Sequence, residues 1–425
     1  MKRILLRSGK DPFEIASPET TLESNLIADN SGNLVFMEAA HKILSAPGVE
    51  VVADRRVVSS RAAARINAEF DAYVIPLANA FRPSFEDVLI RLTTLIERLR
   101  IPVVVLGVGA QATIDYDTRR LKPIERSVRA FTSAVLDRSP SIGVRGELTQ
   151  AYLESLGYRD VEVIGCPSMF LWGADLRVEK RLPRLEGDAR VSVNVSPYVK
   201  AMGDVVMANV ERYPNLTYIP QDIATLQMLV WGESARAAAT QAMVPVHESH
   251  PLFAERRARF YIDPWPWIRD LREADFSFGT RIHGNIAALL AGTPAFVFAH
   301  DSRTLELARY FGIPHRAMRD VPPDVDPAEL YAEADFGALN EGHVARFGTF
   351  LDFMSRNGLD HVFAHDGASE AFDRRVAATA FPPPVGAEAR PGAGSLRDRA
   401  RRKRFMTREA VRTDLRRLRR SMLRK

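Results

Sequence analysis

Residues 275–299, DFSFGTRIHGNIAALLAGTPAFVFA, constrain the fold more than any other stretch. Phe276–Phe278 is a short apolar strand signal. Gly279 and Thr280 supply a turn and a capping residue, and Asn285–Ala291 is a helical run of Ala, Leu and Ile. Gly292, Thr293 and Pro294 stop that helix, and Ala295–Ala299 reads as the next strand. In an open parallel sheet, ligands bind at the carboxyl ends of the strands. Arg281 and His283 fall at that edge. A helix N-terminus favours an anion, and a guanidinium adds a planar fork matched to phosphate or carboxylate. The stretch predicts an anion site with a titratable imidazole beside it. The alternative is that Arg281 pairs with a core carboxylate and His283 only caps the helix.

The same alternation fills the rest of the chain. Strand signals at Lys2–Leu6, Val49–Ala53, Ala72–Leu77, Ile101–Leu106, Ser141–Val144 and Val161–Ile164 alternate with helical segments near 34–44, 84–99, 122–134 and 148–156. Strands restart at Val191–Val195, Thr217–Ile219 and Ala258–Tyr261. Helices are expected at Gly203–Tyr213, Ile223–Leu229, Trp267–Glu273, Ala328–Ala332 and His343–Asn357. The pattern predicts an α/β fold of two doubly wound, Rossmann-like domains facing each other across a cleft. Residues 1–176 form the first, a charged linker covers 177–190, and 191–385 form the second with its closing helices.

Several strand ends carry residues suited to a site. Asn30, Gly32 and Asn33 precede a helix, where they either cap it or face the cleft. Gly107, Gly109 and Gln111 follow a buried strand, and glycines there let a ligand approach the backbone. The third glycine of a dinucleotide fingerprint is missing. Arg145 has the same placement as Arg281, either as an anion ligand or in a surface ion pair. Cys166 reads as a small buried residue rather than a nucleophile. His247 and His250 lack a third ligand, so no metal site is expected. Trp265 and Trp267 read as packing.

Composition matters for what it excludes. One cysteine in 425 residues rules out a disulfide within the chain and a cysteine-cluster zinc site, and fits a reducing cytoplasm. No apolar run reaches the length of a membrane span, and the N-terminus has no long apolar segment of a secretory signal. Residues 390–425 hold 15 Lys and Arg against 3 Asp and Glu, so the formal net charge of +5 conceals a body at −7. A mildly acidic body argues against a specific nucleic-acid partner. A Pro/Gly/Ala-rich connector at 386–395 leads to a basic tail in which Val411, Leu415, Leu418 and Met422 form one helical stripe. Residues 396–425 then either lie on an anionic membrane surface or remain a solvated polycation.

With these residues in place, the chain resembles the polysaccharide pyruvyl transferase family over about residues 1–320. Four pieces match in order: Asn30-Ser31-Gly32-Asn33, Gly107-Val108-Gly109, Val144-Arg145-Gly146, and Arg281-Ile282-His283-Gly284. The Ala291–Pro294 turn also looks like the family, whereas Asn33 stands where relatives often have Asp. The resemblance implies a fold like that of two-domain glycosyltransferases. It implies transfer of a pyruvyl group from phosphoenolpyruvate to saccharide hydroxyls as a ketal, in cell-surface or exopolysaccharide biosynthesis. Arg281 and Arg145 would hold the donor's phosphate and carboxylate, with Gly284 and Asn285 beside them, and His283 would be the general acid. Asn30, Gly32, Asn33, Gly107, Gly109 and Gln111 would face a saccharide or lipid-linked saccharide acceptor. Neither a cofactor nor a metal is expected. The expected location is the cytoplasm, at the inner face of the membrane if the tail binds lipid. Two other readings are a glycosyltransferase of the same architecture using a nucleotide sugar, and a non-catalytic glycan- or membrane-surface-binding protein.

Overall fold

The apolar, β-branched runs become strands of two parallel sheets in a computed structural model that describes residues 1–56, 58–232 and 243–386. In the first sheet, β1 (Lys2–Leu6), β2 (Val49–Ala53), β3 (Ala72–Pro76) and β4 (Val103–Leu106) lie in the order β2-β1-β3-β4. A parallel bridge between Val108 and Val144 leads on to β5 (Ile142–Val144) and β6 (Val161–Val163). The second sheet contains β7 (Val191–Asn194), β8 (Thr217–Tyr218), β9 (Phe276–Gly279), β10 (Ala295–Ala299) and β11 (His315–Ala317), in the order β11-β10-β9-β7-β8. All these strand pairs are parallel. Both sheets are therefore doubly wound, with the order reversing between β1 and β3 and between β7 and β9. A crevice opens at the carboxyl ends of strands on either side of such a reversal. Those ends lead into Arg7 and Leu77–Asn79 in the first sheet, and into Val195, Ser196, Thr280 and Arg281 in the second.

Parallel strands need apolar cover on both faces. Leu5, Val103 and Val105 point into a cluster with Leu89, Leu92 and Phe131. Their neighbours Ile4, Leu6, Val104 and Leu106 point the other way, into a cluster that runs on to Phe276, Phe278 and Phe296 of the second sheet. The bridge between the halves is the Gly32–Leu44 helix, in which every residue but Asn33 is buried. It packs on the Pro167–Phe170 turn and on the helices Pro264–Leu271 and Ile282–Leu290. Even Lys42 is inside, with its ammonium 2.7 Å from Asp373 and 4.5 Å from the Trp172 ring centre.

Hydrogen bonds close the seam between the halves. Ser302 Oγ accepts from the Ala112 amide at 2.8 Å and donates to the Ala110 carbonyl at 3.2 Å. On the other side, Ser31 N–H donates to Gln221 O at 2.8 Å and Ile223 N–H to Asp29 O at 3.1 Å. Residues 177–190 carry no helix or strand and are fastened to the C-terminal half. The Asn340 side chain holds both the N–H and the C=O of Val178 at 2.9 Å. The Tyr331 hydroxyl does the same for Leu182, at 3.0 and 2.8 Å.

Some boundaries differ from the sequence reading. The helix expected at Trp267 starts at Pro264, because a proline at the first helical position gives up an N–H that has no partner there anyway. Trp265 and Trp267 therefore lie inside it, and Trp267 stacks on Tyr261. Ala258–Tyr261 forms single bridges at Ala258 and Phe260 rather than a strand. The helix expected from Asn285 spans Ile282–Leu290, with Arg281 instead of Thr280 at its N-cap position, so His283 belongs to its first turn. No described helix is long and apolar enough to cross a membrane. The connector beyond Gly386 and the basic tail lie outside the described residues.

Ser302→Ala removes the acceptor of a buried amide at the seam. The expected cost is about 1–3 kcal/mol of unfolding free energy, read from urea denaturation. A loss under about 0.5 kcal/mol, the range of neutral surface changes, would show that the seam does not depend on this bond.

Candidate active site

The strand reversal of the second sheet builds one wall of the site. Asn194, at the end of β7, lies opposite Gly279 of β9. Its Oδ1 accepts from the Arg281 amide at 2.8 Å and its Nδ2 donates to Asn285 Oδ1 at 3.0 Å. Asn285 Nδ2 in turn donates to the carbonyls of Gly279 and Arg281, at 3.1 and 3.3 Å. Asn285 was expected beside the donor. It is fully buried and all its bonds go to the strand–helix junction, so it positions Arg281 and does not face the cavity.

Gln221 clamps this wall to the loop before the Gly32–Leu44 helix. A Cβ on Gly284 would stand 2.5 Å from Gln221 Nε2, and one on Gly32 would stand 2.7 Å from Gln221 Oε1 and 3.0 Å from His283 Cβ. Both glycines are needed for close approach, and Gly284 serves packing, not donor contact. The Arg281 side chain is aimed by Nε, which donates to Val195 O at 3.2 Å, and by Asp222, 4.0 Å from a terminal nitrogen.

Arg145 forms the opposite wall. It follows β5, and its amide donates to Val108 O at 2.9 Å. Gly107 has φ +68°, a left-handed backbone that favours glycine. A Cβ on Gly109 would meet the Arg145 stem at 3.3 Å. Gly109 thus forms the bed under Arg145, while Gly107 gives room to the Gly165 carbonyl, 2.5 Å from where a Cβ would stand; neither glycine nor Gln111 lines the cavity, contrary to the expected acceptor role. The Arg145 side chain is 2 % exposed, and its Nε and Nη2 have no hydrogen-bond acceptor. Burial works against its charge. The carboxylates that favour its charge are Glu306 and Asp301, and Glu306 accepts from Thr149 N–H at 2.8 Å and from Thr149 Oγ1 at 3.1 Å. Gly146 makes room for it, since a Cβ there would lie 2.3 Å from Glu306 Cγ. Burial pushes the Glu306 carboxyl up to about 7, against the Thr149 bonds and the charge of Arg145.

His283 lies between the walls, its Nε2 3.6 Å from Cys166 Sγ. Burial, then the charges of Arg145 and Arg303, push its pKa down to about 3, so the ring is neutral at pH 7. Cys166 is buried and accepts from Ser168 Oγ at 3.0 Å. Just beyond β10, Arg303 pairs with Asp301 and reaches the Tyr198 hydroxyl at 3.3 Å. His300 Nε2 is 3.2 Å from the same hydroxyl, and burial lowers its pKa against the charge of Asp301. These groups enclose a cavity of about 70 Å³ whose lining also includes Asn30, Asn33, Asn79 and Gln221. Asn33 Nδ2 donates to the carbonyls of Ile27 and Ala28, at 3.2 and 2.9 Å, and so ties down a loop in which Ala28 and Asp29 have positive φ. A carboxylate could not make those bonds, which accounts for an amide at this position.

Arg281, His283, Arg145, Asn30 and Asn33 are thus brought together, as expected. His300, Asp301 and Arg303 were given no role in the sequence reading, although their place after a buried strand is a signal for one. Gln221, Tyr198 and Glu306 carry no local signal. His250 uses both ring nitrogens on backbone groups, taking the Leu252 amide at 3.2 Å and meeting Met243 O at 3.2 Å. Among the described residues no group of three or more His, Cys, Asp or Glu could hold a metal.

Fold and site define an α/β protein with an arginine-lined cavity between two doubly wound sheets. A polysaccharide pyruvyl transferase family model matches residues 30–302, and the chain belongs to that family. Curated protein sequences give no match. Among solved structures, the chain is similar to an uncharacterized protein of Klebsiella pneumoniae, at 14 % identity over 73 % of this chain and 88 % of that one, TM-score 0.38. It is also similar to the UDP-GlcNAc 2-epimerase of Neisseria meningitidis, at 10 % identity over 89 % and 100 %, TM-score 0.39. The corresponding epimerase of Methanocaldococcus jannaschii gives 9 % identity over 89 % and 100 %, TM-score 0.41.

Two measurements check this geometry. Asn33→Asp is expected to lose about 1–3 kcal/mol of stability, seen in urea titration; an unchanged midpoint would contradict the loop-tying role. Glu306 has a folded pKa of about 7 against an ordinary 4.5. The folded chain therefore holds a proton that the unfolded chain releases between those values, and this contribution to stability fades as pH rises from 4.5 to 7. In Glu306→Gln that part of the pH dependence should disappear; an identical profile would place the titration elsewhere.

Proposed function

We propose that the protein transfers the pyruvyl group of phosphoenolpyruvate to two hydroxyls of a saccharide, forming a ketal. Arg145 carries this reading: a guanidinium 2 % exposed, with two nitrogen donors lacking acceptors, on the wall of a cavity that also holds Arg281. A buried donor left unpaired costs about 1–3 kcal/mol, and a bound anion would offset it. The donor offers two anionic groups, phosphate and carboxylate, to two arginines anchored on opposite walls.

The chemistry adds a hydroxyl across an enol double bond. One saccharide hydroxyl forms a bond from its oxygen to C2 of the donor, while C3 takes a proton and becomes a methyl group. His283 supplies that proton. Its ring is neutral beside Arg145 and Arg303, and the donor's negative charge offsets those cations and raises its pKa. His300 takes the proton of the attacking hydroxyl. The C2–O bond to phosphate then breaks with its electron pair on phosphate, the second hydroxyl bonds to C2 and gives its proton to the departing phosphate, and the ketal closes. Arg145 and Arg281 stabilise the departing phosphate. The saccharide enters past Asn30, Asn33 and Asn79.

Phosphoenolpyruvate at about 100 times its dissociation constant should add about 2.7 kcal/mol of stability, measurable as a thermal shift. In Arg281→Gln that shift should vanish and kcat/KM should fall by about 100-fold or more. A shift produced by nucleotide sugars and not by phosphoenolpyruvate would overturn the assignment. Because the donor raises the His283 pKa, binding should take up a proton, and affinity should strengthen as pH falls from 8 to 6. Calorimetry in buffers of different ionisation enthalpy reads this directly; no proton uptake, or uptake that persists in His283→Ala, would remove His283 as the acid.

A further inference from the structure

A large aromatic side chain stands exposed at the rim of the donor cavity, and its hydroxyl is already engaged. Tyr198 follows β7 and is 61 % exposed, yet it lines the same cavity as Arg145, Arg281 and His283. The backbone around it is fixed. The Ser196 amide donates to Thr280 Oγ1 at 2.8 Å, and the Val199 amide closes a turn onto Ser196 O at 2.9 Å. The Tyr198 ring meets His300 in a T-shaped contact, with centroids 5.5 Å apart. Its hydroxyl is 3.2 Å from His300 Nε2 and accepts from Arg303 Nη2 at 3.3 Å.

These partners set the direction of the hydrogen bond. Burial is the largest influence on His300 and lowers its pKa, so the ring is neutral at pH 7. The Phe298 carbonyl can only accept, so its bond with His300 takes a ring N–H. A neutral imidazole has one N–H, which leaves Nε2 as the acceptor of Tyr198 O–H. Asp301 Oδ2 stands 3.5 Å from the same Nε2 and offers a counter-charge to the protonated ring. A hydroxyl that donates to a base and receives from a cation is set to take one proton and pass on another.

We infer that Tyr198 is a catalytic residue of the proposed transfer, relaying the proton of the attacking saccharide hydroxyl to His300. This rests on the pyruvyl-transfer reading. As the saccharide oxygen bonds to C2 of phosphoenolpyruvate, its O–H bond breaks and the proton moves to the Tyr198 oxygen. The phenolic proton passes to His300 Nε2 in the same step. The tyrosine ends neutral, and the imidazolium faces Asp301. Arg303 stabilises the phenol oxygen while the protons exchange. The saccharide does not meet Nε2 directly, because the Tyr198 hydroxyl holds that position. After the ketal closes, the path runs backward from His300 through the exposed Tyr198 to water, and the base is reset.

The test compares wild type, Tyr198→Phe, His300→Gln and the double variant. Phosphate release from saturating phosphoenolpyruvate is followed with a panel of methyl hexopyranosides, and with water alone as the attacking O–H. Donor binding is read separately, by thermal shift. Tyr198→Phe keeps the ring and its packing on His300 and removes only the hydroxyl. It should lower kcat by about 100-fold or more and leave the thermal shift with phosphoenolpyruvate unchanged. His300→Gln should cost about as much, and the double variant should be no slower than the slower single one, because residues that act as a unit are not additive. Four outcomes overturn the relay. They are a near wild-type rate in Tyr198→Phe, losses that multiply in the double variant, a thermal shift lost in Tyr198→Phe, and a wild type that binds phosphoenolpyruvate but releases phosphate with none of these acceptors. Wild type that gives neither shift nor release fails the pyruvyl-transfer reading itself, and the relay with it.

Discussion

A guanidinium held inside the protein without acceptors is the constraint on which the site depends. Arg145 reaches that position because Gly109 gives its stem a surface to lie on and Gly146 admits Glu306 behind it. Glu306 belongs to the Ser302–Phe311 helix of the other half, so the charge balance around Arg145 exists only when the halves are joined. The same joining places His283 between two arginines and keeps its ring neutral. Electrostatics and architecture are one problem here, since a separation of the sheets would hydrate Arg145 and release His283 to titrate normally.

Much of this was legible in the sequence because it is local. A βαβ stretch with Arg281 and His283 at the strand edge follows from apolar periodicity, and the same logic picks out Arg145. The loop at Asn30–Asn33 was legible as polar residues before a helix. Asn285 was misread because it is four residues after Arg281, one turn along, on the helix face turned toward the sheet. Gly107 and Gly109 were misread in a related way: a glycine that lets something approach does not say whether that is a ligand or, as here, the backbone at Gly165 and the side chain of Arg145.

What the sequence could not show is what comes from the far half. Gln221, Tyr198 and Glu306 have ordinary surroundings in the chain, and their meaning appears only when loops from different sheets meet. A second cavity, at the strand reversal of the first sheet, is the same case. Its Arg7, Arg55, Arg56, Arg82 and Arg91 come from separate segments, and no spacing rule connects them. Only the reversal of strand order, a property of the whole sheet, puts Arg7 beside Asn79.

The Gly32–Leu44 helix has a wider consequence. Two-sheet proteins often bring their sheets together by a hinge, with the wall between them wet when open. Here that wall is a helix buried along its length and packed on both sides. A hinge would have to strip apolar surface from it at every turnover, at about 25 cal/mol for each Å² exposed. The molecule is better described as a fixed vessel than as a clam, and its selectivity then comes from what its standing shape refuses to admit. Such a vessel holds its polar side chains in register before any ligand arrives.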